Sequence, residues 1–200
     1  MIAPGITLYL LRHGETEWNT QRRFQGSKND SPLTQRGIAQ ARAVAALLAE
    51  CVRGDPQFVS SPAPRAQRTT EIILDALSRT GEYEIEPRIN ELDLGEWSGL
   101  TREEAQTNFP EVWKARNADR WNVPVPKGES YAMVAERAKD WLGHLSRDTV
   151  AVSHGGFGRI VRGLYGGLDA NGIAALDEPQ DCVFRLADGS LAMFGPAKCR

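Results

Sequence analysis

The chain alternates short apolar runs with longer stretches whose apolar positions recur every three or four residues. Ile6-Thr7-Leu8-Tyr9-Leu10-Leu11 and Thr149-Val150-Ala151-Val152 are compact apolar runs, each closed by a histidine and a glycine, and both predict buried strands. Between them the period changes to that of a helix. A segment from Thr34 to about Glu50 carries Val44, Leu47 and Leu48 at helical spacing, with Thr34 placed as N-cap after the turn Ser31-Pro32-Leu33. Gln57-Phe58-Val59-Ser60 reads as a short buried strand. Ser61-Pro62-Ala63-Pro64 breaks that strand and starts a helix running to about Arg79, with Ile72, Ile73, Leu74 and Leu77 as its stripe and Gly81 as its stop. Tyr83-Glu84-Ile85-Glu86 alternates as an edge strand does.

From Asn90 to about Pro126 the alternation lapses into Trp, Arg, Asn and Pro, with two short helices expected at 101–108 and 110–117. Regularity then returns. Val134, Ala138, Trp141 and Leu145 mark one buried face of a helix from Glu129 to about Ser146, and a further helix follows from Gly156 to about Leu164. The last elements predicted are a hairpin, Cys182 to Leu186 and Leu191 to Phe194, turning at Asp188-Gly189. Repeated strand-helix-strand units imply an α/β fold: one three-layer α/β/α domain over residues 1–200, with a mostly parallel central sheet and a lid-like excursion at about 90–127.

Composition narrows the function classes. With 41% apolar residues in 200, the chain can bury a full core without staples. Its 24 basic and 26 acidic residues leave a net charge of -2, so no global field favours nucleic acid or an anionic membrane, and neither is expected as a partner. An anion would have to be caught by a local cluster. No apolar run is long enough to span a bilayer, and the N-terminal residues carry no basic targeting segment. Cys51, Cys182 and Cys199 are odd in number and lack metal-ligand spacing, which suits free thiols in a reducing compartment and a cytoplasmic protein. No metal site, dinucleotide fingerprint or nucleotide P-loop is present, so no cofactor is expected.

Candidate chemistry gathers where strands end. In open α/β sheets ligands bind beyond the carboxyl ends of the strands, where the loops leave for the helices. That rule brings Arg12, His13 and Asn19 from the first loop together with Ser61 and Arg65 from the second, Glu91 after the edge strand, and His154 and Gly155 after the late strand. Two histidines, two permanently charged arginines and a carboxylate make chemistry for an anion. His144 lacks such company and is expected at the surface, while Arg68 is expected to form a structural ion pair. The aromatic residues at 97, 109, 113 and 121 are expected to pack, and Arg116, Arg120 and Lys127 to form a solvated face.

The motifs, taken in order, resemble the histidine phosphatase superfamily, also called the phosphoglycerate mutase-like proteins. They are Leu11-Arg12-His13-Gly14-Glu15-Thr16-Glu17-Trp18-Asn19, Arg23-Phe24-Gln25-Gly26, Ser31-Pro32-Leu33-Thr34 with Gly37, Ser60-Ser61-Pro62 with Arg65-Ala66-Gln67-Arg68-Thr69, Glu91 with Gly95-Glu96-Trp97-Ser98-Gly99, and Ser153-His154-Gly155-Gly156. The resemblance implies that His13 is a nucleophile forming a phosphohistidine, with Arg12, Arg65 and His154 on the phosphate oxygens and Glu91 protonating the leaving alcohol. Asn19, Gln25, Gly26 and Gly155 are then the substrate contacts, and Asp93 and Glu96 compete with Glu91 for the acid's role. Glu91-Leu92-Asp93-Leu94 and the form of the neighbouring motifs are similar to the phosphatase branch. The reaction implied is metal-free hydrolysis of a small phosphorylated metabolite. A bisphosphoglycerate-primed mutase and a non-catalytic phosphate-recognition module are the alternatives.

Overall fold

The computed structural model describes residues 2–79 and 82–196. Its centre is a six-stranded sheet in the order β3-β2-β4-β1-β5-β6. The strands are β1 (Leu8–Arg12), β2 (Gln57–Ser60), β3 (Glu84–Ile85), β4 (Thr149–Ser153), β5 (Val183–Ala187) and β6 (Ser190–Phe194). Neighbours among the first four run parallel, whereas β5 is antiparallel to β1 and β6 is antiparallel to β5. The mostly parallel sheet expected from the sequence is present, closed on one side by the expected hairpin. Its turn lies at Asp188 (φ 47) and Gly189 (φ 75), the two successive left-handed positions that a tight two-residue hairpin needs.

Alternation along β1 divides the core into two layers. Leu8 and Leu10 pack with α6 (Tyr131–Gly143) and α7 (Gly155–Tyr165), while Tyr9 and Leu11 pack with α2 (Gln35–Cys51) and α3 (Pro64–Ala76). Burying both faces of a parallel strand requires a nearly continuous apolar run, as β1 and β4 have. Helix α2 begins where Thr34 accepts the Gly37 N–H at 3.0 Å, and its buried side is Ala41, Val44, Ala45 and Leu48. Helix α6 is capped by Ser130 and runs shorter than the segment expected at 129–146.

Two further short helices were not apparent in the sequence pattern. These are α1 (Glu17–Thr20), a single turn capped by Thr16, and α8 (Ala170–Ala175), capped by Asp169. Neither is long enough to show an apolar period. Helix α3 stops at Ala76, three residues short of the expected end, because Ser78 turns left-handed (φ 51) and the Arg79 N–H closes on Leu74. Gly81, expected to stop it, and Cys199 lie outside the described residues. Among those described there is no disulfide and no helix long and apolar enough to cross a membrane.

The excursion carries α4 (Arg102–Asn108) and α5 (Pro110–Ala118) and has its own small core. Trp97, Ala105 and Val125 are buried there, with Phe24, Phe109 and Trp113 packed around them. Its two ends are joined by hydrogen bonds from Glu96 N to Pro126 O (3.0 Å) and from Glu129 N to Asp93 O (2.8 Å). Trp97, Arg102, Trp113 and Arg116 of this segment line one cavity with Arg12 and His13 at the end of β1.

Candidate active site

Sheet register brings the two histidines together. In the β1–β4 pairing Arg12 stands opposite Ser153, so the next residue on each strand, His13 and His154, leaves the sheet side by side. Their rings lie 5.1 Å apart, and both residues are buried. On the other side of β4, Ser60 pairs with Val152, which places Ser61 and the start of α3 next to His154. Parallel strands in register point the same ends at one crevice.

The loop that follows β1 and carries His13 is held by contacts that admit little variation. Gly14 donates its N–H to Thr69 Oγ1 of α3 at 3.2 Å, and a Cβ on Gly14 would fall 2.4 Å from the Gly37 carbonyl oxygen. A Cβ on Gly37 would fall 2.1 Å from the Glu15 carbonyl oxygen. The loop therefore lies directly on the first turn of α2, an approach open only to glycine at both positions.

His13 Nδ1 lies 2.8 Å from the Gly14 carbonyl, an acceptor, which fixes the proton at Nδ1 and leaves Nε2 bare. Burial lowers the pKa of His13 well below its usual value, and the Arg65 and Arg12 cations lower it further. His154 is lowered well below the usual value by burial, then by Arg65, His13, Arg12 and Arg137. Both rings are neutral near pH 7.

Arg65 joins the two. Its Nε donates to His13 Nε2 and its Nη2 to His154 Nδ1, each at 3.2 Å, so His154 carries its proton on Nε2, 2.6 Å from Ser61 Oγ. The same guanidinium donates to the carbonyls of Gly26 (2.8 Å) and Asn29 (3.0 Å) and pairs with Asp30 at 2.8 Å. Its side chain is 1% exposed, so these partners hold a charge that water does not reach. Arg12 donates through Nη1 to the Glu178 carbonyl, and its buried Nε has no hydrogen-bond partner among the described residues. Arg12 lines the same cavity as His13, so an anion entering there meets a guanidinium as well as the imidazole.

Glu91 lines the same cavity. Its Oε1 accepts the N–H groups of Leu92 (2.9 Å) and Phe157 (3.1 Å), and its Oε2 accepts that of Gly156 at 3.2 Å. The first turn of α7 thus aims the carboxylate, as helix N-termini do for anions. Asp93 and Glu96, the competing acids in sequence, do not line the cavity. They pair with Lys28 (2.7 Å) and Lys127 (2.6 Å) instead.

The cavity has a volume of about 280 Å³ and is lined by Arg12, His13, Asn19, Arg65 and Glu91, with Gln25 and Gly26 among its other walls. His154 stands behind Arg65 rather than on the cavity wall, and Gly155 faces Glu178 while its neighbour Gly156 lines the cavity. Arg68 pairs with Glu71 at the surface and His144 is exposed, as expected. The solvated face expected at Arg116, Arg120 and Lys127 holds for Lys127 only. Arg116 is 4% exposed, lies between the rings of Trp97 and Tyr131, and lines the cavity with Arg120. Burial lowers its pKa to about 10. Sequence reasoning also left out Asp30, Glu178 and Gln180, which reach the site from segments with no motif of their own.

Among the described residues no cluster of His, Cys, Asp and Glu is arranged to hold a metal ion. A 2,3-bisphosphoglycerate-dependent phosphoglycerate mutase of Sinorhizobium fredii is 38% identical over 130 residues, covering 62% of this chain and 59% of that protein. A protein of the same name from Rhizobium etli is 36% identical over 155 residues, 74% of this chain and 70% of its own. For the first of these the match spans about six-tenths of the relative's length. Among solved structures, mycobacterial glucosyl-3-phosphoglycerate phosphatase with VO3 is 27% identical, covers 96% of this chain and 97% of its own, and superposes with a TM-score of 0.80. Bacillus stearothermophilus YhfR gives 0.81 at 26% identity, with 96% of each chain covered. Residues 8–187 match the histidine phosphatase superfamily (branch 1), and the chain belongs to that family.

Proposed function

We propose that the protein is a phosphomonoesterase that hydrolyses a small phosphorylated metabolite through a phosphohistidine on His13. The observation that carries this reading is a neutral, buried His13, its proton fixed on Nδ1 by the Gly14 carbonyl, lining one cavity with Arg12, Arg65 and Glu91. In the first step Nε2 attacks phosphorus, the bond to the alcohol oxygen breaks, and Glu91 as the acid supplies that oxygen's proton. Arg12 holds the phosphoryl oxygens with Asn19 as a further donor, and Arg65 joins them through the Nε–H that His13 Nε2 releases when it bonds phosphorus. In the second step Glu91, now a carboxylate, takes a proton from the water that attacks the phosphohistidine. Inorganic phosphate leaves and His13 is regenerated. The cytoplasm is the proposed location, and the small cavity favours a metabolite over a macromolecule.

A second reading, a bisphosphoglycerate-primed mutase, is favoured by one feature. Seven arginines but only two glutamates line the cavity, and Arg102, Arg116 and Arg120 have no carboxylate partner among the described residues. Their excess suits a substrate whose alcohol carries its own negative group, as a phosphoglycerate does. Incubation with 3-phosphoglycerate separates the readings. Release of inorganic phosphate without added metal, lost in His13→Ala, supports the phosphatase. Formation of 2-phosphoglycerate without release supports the mutase, and a strict metal requirement contradicts both.

A further inference from the structure

The segment between α8 and β5 passes across the mouth of the nucleophile loop and is tied to it by side chains from both directions. Arg12 reaches the Glu178 carbonyl, and Arg162 of α7 bonds the Asp177 carbonyl and pairs with its carboxylate at 3.3 Å. From the segment itself, Gln180 donates through Nε2 to Asn19 Oδ1 at 3.0 Å and to the His13 carbonyl at 3.4 Å. One side-chain amide therefore touches both ends of the loop that carries the nucleophile.

The direction of these amides is forced by the partners. Asn19 Oδ1 also accepts the backbone N–H of Thr16 at 3.1 Å, and a backbone N–H can only donate, so Oδ1 must face Thr16. Gln180 must then present its own N–H groups, because both of its partners are oxygens. A planar amide whose oxygen is taken by two donors on one side turns its NH2 to the other. Asn19 lines the cavity beside Arg12 and His13, so the group it offers there is Nδ2, a donor.

We propose that Gln180 is a positioning residue for phosphate binding: it locks the Asn19 amide with its donor toward the phosphate. Without it, Thr16 alone opposes a half-turn of the amide that would present an oxygen to an anion. The loss of one hydrogen bond to a charged phosphate oxygen corresponds to about a tenfold weaker affinity or more. A turned amide that repels the anion costs more.

This inference rests on the proposal that the cavity binds a phosphate, and a double-mutant cycle separates the two. The probes are inorganic phosphate and vanadate, read as competitive inhibition of aryl phosphate hydrolysis and, independently, as calorimetric binding. Gln180→Met, close to glutamine in volume, is expected to weaken phosphate binding about tenfold and to raise KM more than it lowers kcat, with an unchanged melting temperature. Gln180→Glu, which accepts where glutamine donates, is expected to weaken it further. In an Asn19→Ala background the Gln180→Met change is expected to cost nothing more, because its effect passes through Asn19. Equal losses in the two backgrounds overturn the positioning role, and so does an effect confined to melting temperature. Failure of the unmodified protein to bind either probe overturns the phosphate site itself.

Discussion

The two buried histidines make a specific prediction about acid stability. His13 and His154 are held neutral in the native protein, whereas in the unfolded chain each takes up a proton near its usual pKa of 6.5. Below that value the unfolded state binds more protons than the native state, so stability rises with pH and is lost on acidification. The window opens near pH 6.5 and extends down to the depressed native values. For a histidine that stays neutral when folded, the cost between pH 7.0 and pH 5.5 is roughly 1 kcal/mol, and for the pair roughly 2 to 3 kcal/mol. The carboxylates held below their usual range, Glu86 and Asp140, add their losses at lower pH. Urea unfolding at pH 7.0, 6.5, 6.0 and 5.5 measures this slope directly. His154→Asn is expected to remove about half of it, and the double variant His13→Asn/His154→Asn nearly all. A flat profile in the unmodified protein, or an unchanged slope in the double variant, refutes the assignment of two neutral buried imidazoles.

Two other outcomes follow from the same geometry. Glu91→Gln keeps an acceptor at the start of α7 but has no proton to give, so hydrolysis of alkyl phosphates is expected to fall about 10²–10⁴-fold while p-nitrophenyl phosphate loses much less. Equal losses on both substrates would remove Glu91 as the acid. Gly37→Ala would place a Cβ 2.1 Å from the Glu15 carbonyl oxygen, and a shift of about 2 to 4 kcal/mol in urea unfolding is expected, with activity reduced because the His13 loop must move. Unchanged stability would show that this loop does not need its close seat on α2.

Much of the site was legible because its residues follow strong local signals. His13 and His154 each end an apolar run, and Arg65 sits in the first turn of a helix announced by Pro62 and Pro64. What the pattern missed has no local signal. Asp30 and Gln180 sit in irregular chain, and Gln180 touches a residue 161 positions away. Arg116 was misread because a charge on an amphipathic segment usually faces water, whereas here Trp97 and Tyr131 enclose it over the cavity.

The sequence by itself determined the alternation of strands and helices, the full core, and which loops carry titratable groups, because these depend on neighbours within a turn or a strand. The meaning of Arg12-His13-Gly14 as a loop at a strand end was likewise local. Only the tertiary structure decided that β1 and β4 pair with Arg12 opposite Ser153, which sets the two imidazoles 5.1 Å apart under one guanidinium. It also put Glu91 on the cavity wall and left Asp93 and Glu96 off it, paired with lysines. Protonation state and hydrogen-bond direction depend on burial and on partners brought from distant segments, and these exist only once the chain has closed on itself.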